Sequence, residues 1–315
     1  MSKTIAVGSR TSEEPRIAVC AEATPEILGV RRAVALVTGF PASVMGSERF
    51  AMVGIHSSTK APLSLAQLSD QAFLALDEAG ELVPEVVVRP AIPILFFGDI
   101  EQYRRSPLRI VTVGLNPSLA EFPTTGPLER FPAATQLKGL ETAVDHDNYV
   151  RALSSYFREA PYGSWFGTFE GLLNGMDASF YDGSPNTALH TDICSPVATN
   201  PTWSKLPEPA RAALVKPGRA LWNGLMELLE PHAVLISVAR RYLDTLDFAS
   251  ESEWAELDRV ERRDPYIVRH RRLSLGGNVT TTAIFGKAAQ KPFSLISSAD
   301  KLRIGAAVKE LLDAR

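Results

Sequence analysis

Four short stretches of this chain are rich in apolar and β-branched residues, at 110–113, 187–193, 233–238 and 280–285. Each has the length of a single strand, and the run at 233–238 is so apolar that it predicts a strand buried on both faces. Between them the apolar positions recur at helical spacing, which predicts helices over 147–159, 165–176, 208–229 and 299–313. The region 242–272 reads as helical and then mixed. Strands separated by helices are the signature of a parallel sheet covered on both faces. The expected fold is therefore α/β: over 91–315, a three-layer αβα sandwich with a central, four-stranded, mostly parallel sheet.

Residues 1–90 read as an N-terminal αβ extension. Strands are expected at 17–20, 49–55 and 85–89, with an amphipathic helix over 65–79 closed by Gly80. Pro84, Pro90 and Pro93 punctuate the last of these strands.

Composition narrows the picture. At 315 residues and 45% apolar content the chain can bury one large core with an appendage. It has no apolar run of membrane-spanning length and no continuous apolar segment of signal type near Met1. A soluble, cytoplasmic monomer with no membrane partner is expected. The two cysteines, Cys20 and Cys194, are too few for a zinc or iron–sulfur cluster, and both read as small buried hydrophobes. Histidines 56, 146, 190, 232 and 270 show no metal spacing, and the sequence has no Walker loop, Gly-x-Gly-x-x-Gly, Gly-x-Ser-x-Gly or His-Glu-x-x-His. Neither a metal nor a cofactor is expected.

A net charge of −3 argues against a generic polyanion binder, but the basic residues are clustered. Runs occur at Arg104, Arg105 and Arg109, at Arg240 and Arg241, and from Arg262 and Arg263 through Arg269, Arg271 and Arg272. One basic face suffices for nucleic-acid contact, because affinity follows the phosphates neutralised. Pairing with Asp244, Glu261 or Asp264 on a solvated surface is the competing reading.

The stretch richest in chemistry is 109–118, a strand running into Gly114, Leu115, Asn116, Pro117 and Ser118. Gly114 stops the strand and lets backbone pass closely under a ligand; Asn116 offers an amide that both donates and accepts; Pro117 fixes the turn. Open α/β sheets bind ligands at such carboxyl ends of strands.

Gly114-Leu-Asn-Pro-Ser118 resembles the first motif of the uracil-DNA glycosylase superfamily, in the form used by its mismatch-specific and single-strand-selective branches. With the downstream order of elements, the resemblance covers roughly residues 90 to 315. It implies that Asn116 orients a water and that Phe131, or Phe122 as the fallback, stacks on an extruded base. The superfamily's second strand often ends in Thr-Asn-hydrophobic, and here the tripeptide is Thr191-Asp192-Ile193. An amide suits uracil. An ionised carboxylate only accepts, which suits the exocyclic amine of a cytosine-like base. The family's last motif normally carries a His; here Gly286 to Ser294 has none, so Lys287, Gln290 or Lys291 would stand in as donors to the departing base. Phe293 or Leu295 would be the wedge, Arg269, Arg271 and Arg272 the DNA contacts, and His190 a possible assistant.

The resemblance thus implies a monofunctional DNA glycosylase acting on a non-standard pyrimidine, a modified cytosine in preference to plain uracil. Its setting would be repair or defence against foreign modified DNA. The alternative is a catalytically silent nucleic-acid or nucleotide-binding protein on the same fold.

Overall fold

Every residue of β1 (Ile110–Gly114) is buried, because the strand sits in the interior of the sheet with a parallel neighbour on each side. In the computed structural model the described residues are 62–137, 145–243, 249–250, 252–275 and 279–314. The chain divides into two units, Met1–His56 and Ser57–Arg315, and all described residues belong to the second. The strands expected at 17–20 and 49–55, and Cys20, lie outside them.

β1 pairs in parallel with β3 (Asn186–Asp192) and with β4 (Ala233–Ile236). β8 (Thr280–Gly286) continues the parallel sheet beyond β4, and the two-residue β2 (Ala178–Ser179) borders β3. The four expected strands are all present and adjacent, but the sheet is larger than four. β7 (Tyr266–Ser274) adds antiparallel to β8, and β5 (Ala249–Ser250) and β6 (Ala255–Val260) both pair with β7, making eight strands in a mixed sheet. Apart from the single-turn helix α6 (Arg240–Leu243), the described part of the region expected to start helical is thus mostly β.

Helices cover both faces. α4 (Gly163–Gly175) sends Trp165, Phe166 and Phe169 against the His190 ring, with centroids 4.9, 5.1 and 5.9 Å away. The next residue along β3, Thr191, points to the other face, where the Trp222 indole N–H of α5 (Glu208–Leu229) donates to its hydroxyl at 3.0 Å. α7 (Ser298–Asp313) packs on α4, and α1 (Leu65–Leu82) on α5. The chain therefore reaches β3 from β1 across one face and returns to β4 across the other, which makes the carboxyl end of β1 a topological switch point.

The described N-terminal segment belongs to this unit, so the boundary expected near residue 90 falls instead between His56 and Ser57. Ser64 and Gln67 form a reciprocal capping box that starts α1. The chain beyond Val83 is not a named strand at 85–89. It is an extended strap whose amides bond to the loop after β3: Val88 N–H to Ala198 O at 3.0 Å and Ile94 N–H to Pro196 O at 2.8 Å. It then passes Phe97 along β3 and enters the short helix α2 (Ile100–Arg105). Among the described residues, no helix is long and apolar enough to cross a membrane.

Candidate functional site

At the switch point the first loop is zipped to the loop following β3. Ile193 N–H donates to Gly114 O at 3.1 Å, Cys194 N–H to Leu115 O at 2.8 Å and Thr199 N–H to Pro117 O at 3.2 Å. A cavity of about 640 Å³ opens there. Gly114, Leu115, Asn116, Pro117 and Ser118 line it from β1, and His190 and Asp192 from β3. Its far wall is Ala288 to Pro292, which includes Gln290 and Lys291. Ser237 at the end of β4 pins that wall: its hydroxyl donates to Gly286 O and accepts from Phe293 N–H, both at 2.9 Å.

Gly114 is required by close approach. It lies opposite Asp192 in the ladder, and a Cβ on it would sit 2.4 Å from Asp192 Oδ1 and 3.0 Å from His190 Nε2. Only a glycine lets the carboxylate lie across the end of β1.

Asn116 has a determined orientation. The Thr199 hydroxyl donates to Pro201 O at 3.0 Å, so its oxygen is free to accept. Asn116 Nδ2 donates to that oxygen at 2.8 Å and to Val197 O at 3.3 Å. Both amide hydrogens are thereby occupied, and the Oδ1 acceptor remains for whatever enters the cavity.

His190 is 1% exposed and Asp192 8%. The imidazole Nδ1 lies 2.7 Å from Thr112 Oγ1, and Nε2 lies 3.7 Å from Asp192 Oδ1, beyond hydrogen-bond distance. With the Thr112 hydroxyl directed at Leu189 O, 3.4 Å away, Nδ1 is the donor and a neutral ring presents Nε2 as an acceptor.

No family model, curated protein or solved structure matches this chain at a significant level. The site is therefore read from its own geometry.

Several expected residues stand elsewhere. Phe131 and Phe122 are fully buried, stacked on each other with centroids 5.5 Å apart, and Phe131 also stacks on Tyr156 at 5.3 Å. They form core behind the cavity and do not line it. Phe97, Phe166, Trp165, Tyr162 and Trp203 line it in their place. Phe293 is completely buried against Phe169, so it is no exposed wedge. Lys287 is exposed and outside the lining, whereas Lys291 lines the cavity with its ammonium donating to Ser164 O at 2.9 Å.

The three arginines of β7 do not form one patch. Arg269 and Arg271 project to one side of the strand and Arg272 to the other. Arg271 lies over the Trp254 ring, 4.6 Å from its centroid. Arg271 and Arg272 pair with Ala283 and Thr282, which places them roughly 10 to 13 Å along β8 from its cavity end at Gly286. The cations at the cavity are Lys291 and the exposed Arg241.

The sequence gave no sign of one further member, Glu121. It lines the cavity, is 5% exposed, and its Oε2 accepts from the Tyr156 hydroxyl, which itself accepts from Tyr162 N–H at 2.9 Å. Burial pushes this carboxyl up to about 7, with a smaller push from the charge of Asp192, against the lowering effects of Tyr156 and Arg130. Cys194, also buried, is pushed up to about 12 by burial and is no nucleophile at neutral pH. Among the described residues no three His, Cys, Asp or Glu side chains are grouped as a metal would require.

Proposed function

We propose that this chain is a divergent member of the uracil-DNA glycosylase superfamily. In this reading it acts as a cytoplasmic monomer that hydrolyses the N-glycosidic bond of a non-standard pyrimidine in DNA, a modified cytosine in preference to uracil. The observation that carries the reading is the orientation of Asn116, whose amide hydrogens are both engaged and whose Oδ1 is left for a ligand in the cavity that Asp192 and His190 share. An acceptor held in this way can fix one hydrogen of a water and aim its lone pair at C1′. As the C1′–N1 bond breaks, positive charge grows on the sugar and negative charge on the base, and the water oxygen closes on C1′. Asp192 accepts from the exocyclic amine of a cytosine-type base, and the aromatic lining supplies faces for stacking. Lys291 and Arg241 supply positive charge for flanking phosphates. Repair or defence against foreign modified DNA would use such an activity.

One observation favours the second reading, a catalytically silent nucleic-acid binder. Of the two lysines expected to stabilise a departing base, Lys287 lies outside the cavity lining and the Lys291 ammonium is engaged by Ser164 O.

Oligonucleotides carrying uracil, cytosine or enlarged cytosines, incubated with the protein and then treated with alkali, separate the two readings by strand scission. Asn116→Ala is expected to lower release by on the order of 10²-fold or more, with folding intact. Asp192→Asn restores a donor for O4 and is expected to shift preference towards uracil by roughly ten- to a hundredfold. Wild-type protein that cuts uracil best, with no shift in the variant, would remove Asp192 from base recognition.

A further inference from the structure

A departing pyrimidine needs its negative charge neutralised, and the two expected lysines are poorly placed to do it. Glu121 is better placed. It ends the short turn Leu119–Glu121 that follows Asn116, and it lines the same cavity as Asn116, His190 and Asp192. We propose that Glu121 is the proton donor of the site, passing a proton from its carboxylic acid to the pyrimidine as the glycosidic bond breaks. This assignment rests on the glycosylase reading above.

The hydrogen bonding around Glu121 specifies which oxygen carries the proton. The Tyr156 hydroxyl accepts from Tyr162 N–H and donates to Glu121 Oε2, so the acid proton belongs on Oε1. The charged and titratable groups acting on Glu121 come from three segments. Tyr156 belongs to the turn Tyr156–Arg158, Asp192 to β3, and Arg130 to the loop beyond Phe122, where its guanidinium is held by Ala120 O and Ala160 O. Burial outweighs the stabilising partners and keeps the group a neutral acid up to about pH 7, the range in which a proton donor works at physiological pH.

The step balances. The C1′–N1 electron pair goes to the base, the Glu121 proton joins the base, and the water oxygen bonds to C1′. The proton that this water releases returns to the Glu121 carboxylate, so the acid is restored and the products are free base and a sugar hemiacetal.

The test is single-turnover base release from cytosine-type oligonucleotides between pH 5.5 and 8.5. Wild-type release is expected to fall as pH rises through about 7, as the Glu121 proton is lost. Glu121→Gln should lose 10²- to 10⁴-fold, the usual span for general acid catalysis. The loss should shrink when the base is 5-fluorocytosine, which departs more readily without a proton. Tyr156→Phe keeps the ring but removes a hydrogen bond that lowers the Glu121 pKa, so the inflection should move to higher pH while release persists. A merely structural role would leave that inflection in place. Equal release by wild type and Glu121→Gln on every base, or an unmoved inflection in Tyr156→Phe, would overturn the assignment. Wild-type protein that releases no base from any oligonucleotide would overturn the glycosylase reading itself.

Discussion

A buried carboxyl whose proton is held more tightly when folded leaves a mark on stability. The Glu121 value rises from 4.5 to about 7 on folding, so the folded chain binds that proton more strongly than the unfolded chain does. The resulting stabilisation is complete below pH about 4.5 and is lost as pH rises through about 7. The shift of 7 − 4.5 corresponds to on the order of 3 kcal/mol. Denaturant unfolding of Glu121→Gln is expected to show a stability gain over wild type that grows between pH 5 and pH 8. A gap of constant size would mean that Glu121 does not titrate in this window. Nothing in Ser118-Leu-Ala-Glu121 marks this residue, because its environment is made by Tyr156 and Arg130, distant in sequence. Gly114, Asn116 and Asp192 were legible for the opposite reason: they stand at strand ends, and strand ends can be read from local pattern.

Elements meet most closely where α4 and α7 cross. A Cβ on Gly175 would sit 2.2 Å from Leu302 O, and one on Gly305 would sit 2.2 Å from Leu172 O. Either glycine changed to alanine must push backbone from backbone. The expected cost is about 1 to 3 kcal/mol, read as a lower midpoint in denaturant. Because α4 also carries Trp165 and Phe166 into the cavity wall, Gly175→Ala should weaken ligand binding as well as the fold. The parallel strands and the four main-domain helices were readable because their apolar residues keep one period over many positions. β7 was not. Its run Arg269-His270-Arg271-Arg272 hides the strand alternation, since an arginine stem such as that of Arg271 can pack on Trp254 while its charge reads as polar. The antiparallel half of the sheet was lost with it.

At the scale of the whole molecule, long-range pairing decides both the extent of the domain and the shape of the site. Proline-rich sequence around Pro84, Pro90 and Pro93 imitates a linker, yet the strap it forms is hydrogen-bonded to the loop that carries Val197 and Thr199, the partners of Asn116. The strap also does something for the sheet. β2 covers only Asn186 and Thr187 along the outer side of β3. Farther along, Phe97 takes over, donating to His190 O at 2.8 Å and accepting from His190 N–H at 3.0 Å. Those groups would otherwise form an open edge, a template on which a second chain could add a strand. Phe97→Pro, which removes the donor, is expected to turn a monomer into a species that self-associates with rising concentration in sedimentation velocity. The strap thus keeps the molecule solitary as well as completing its pocket.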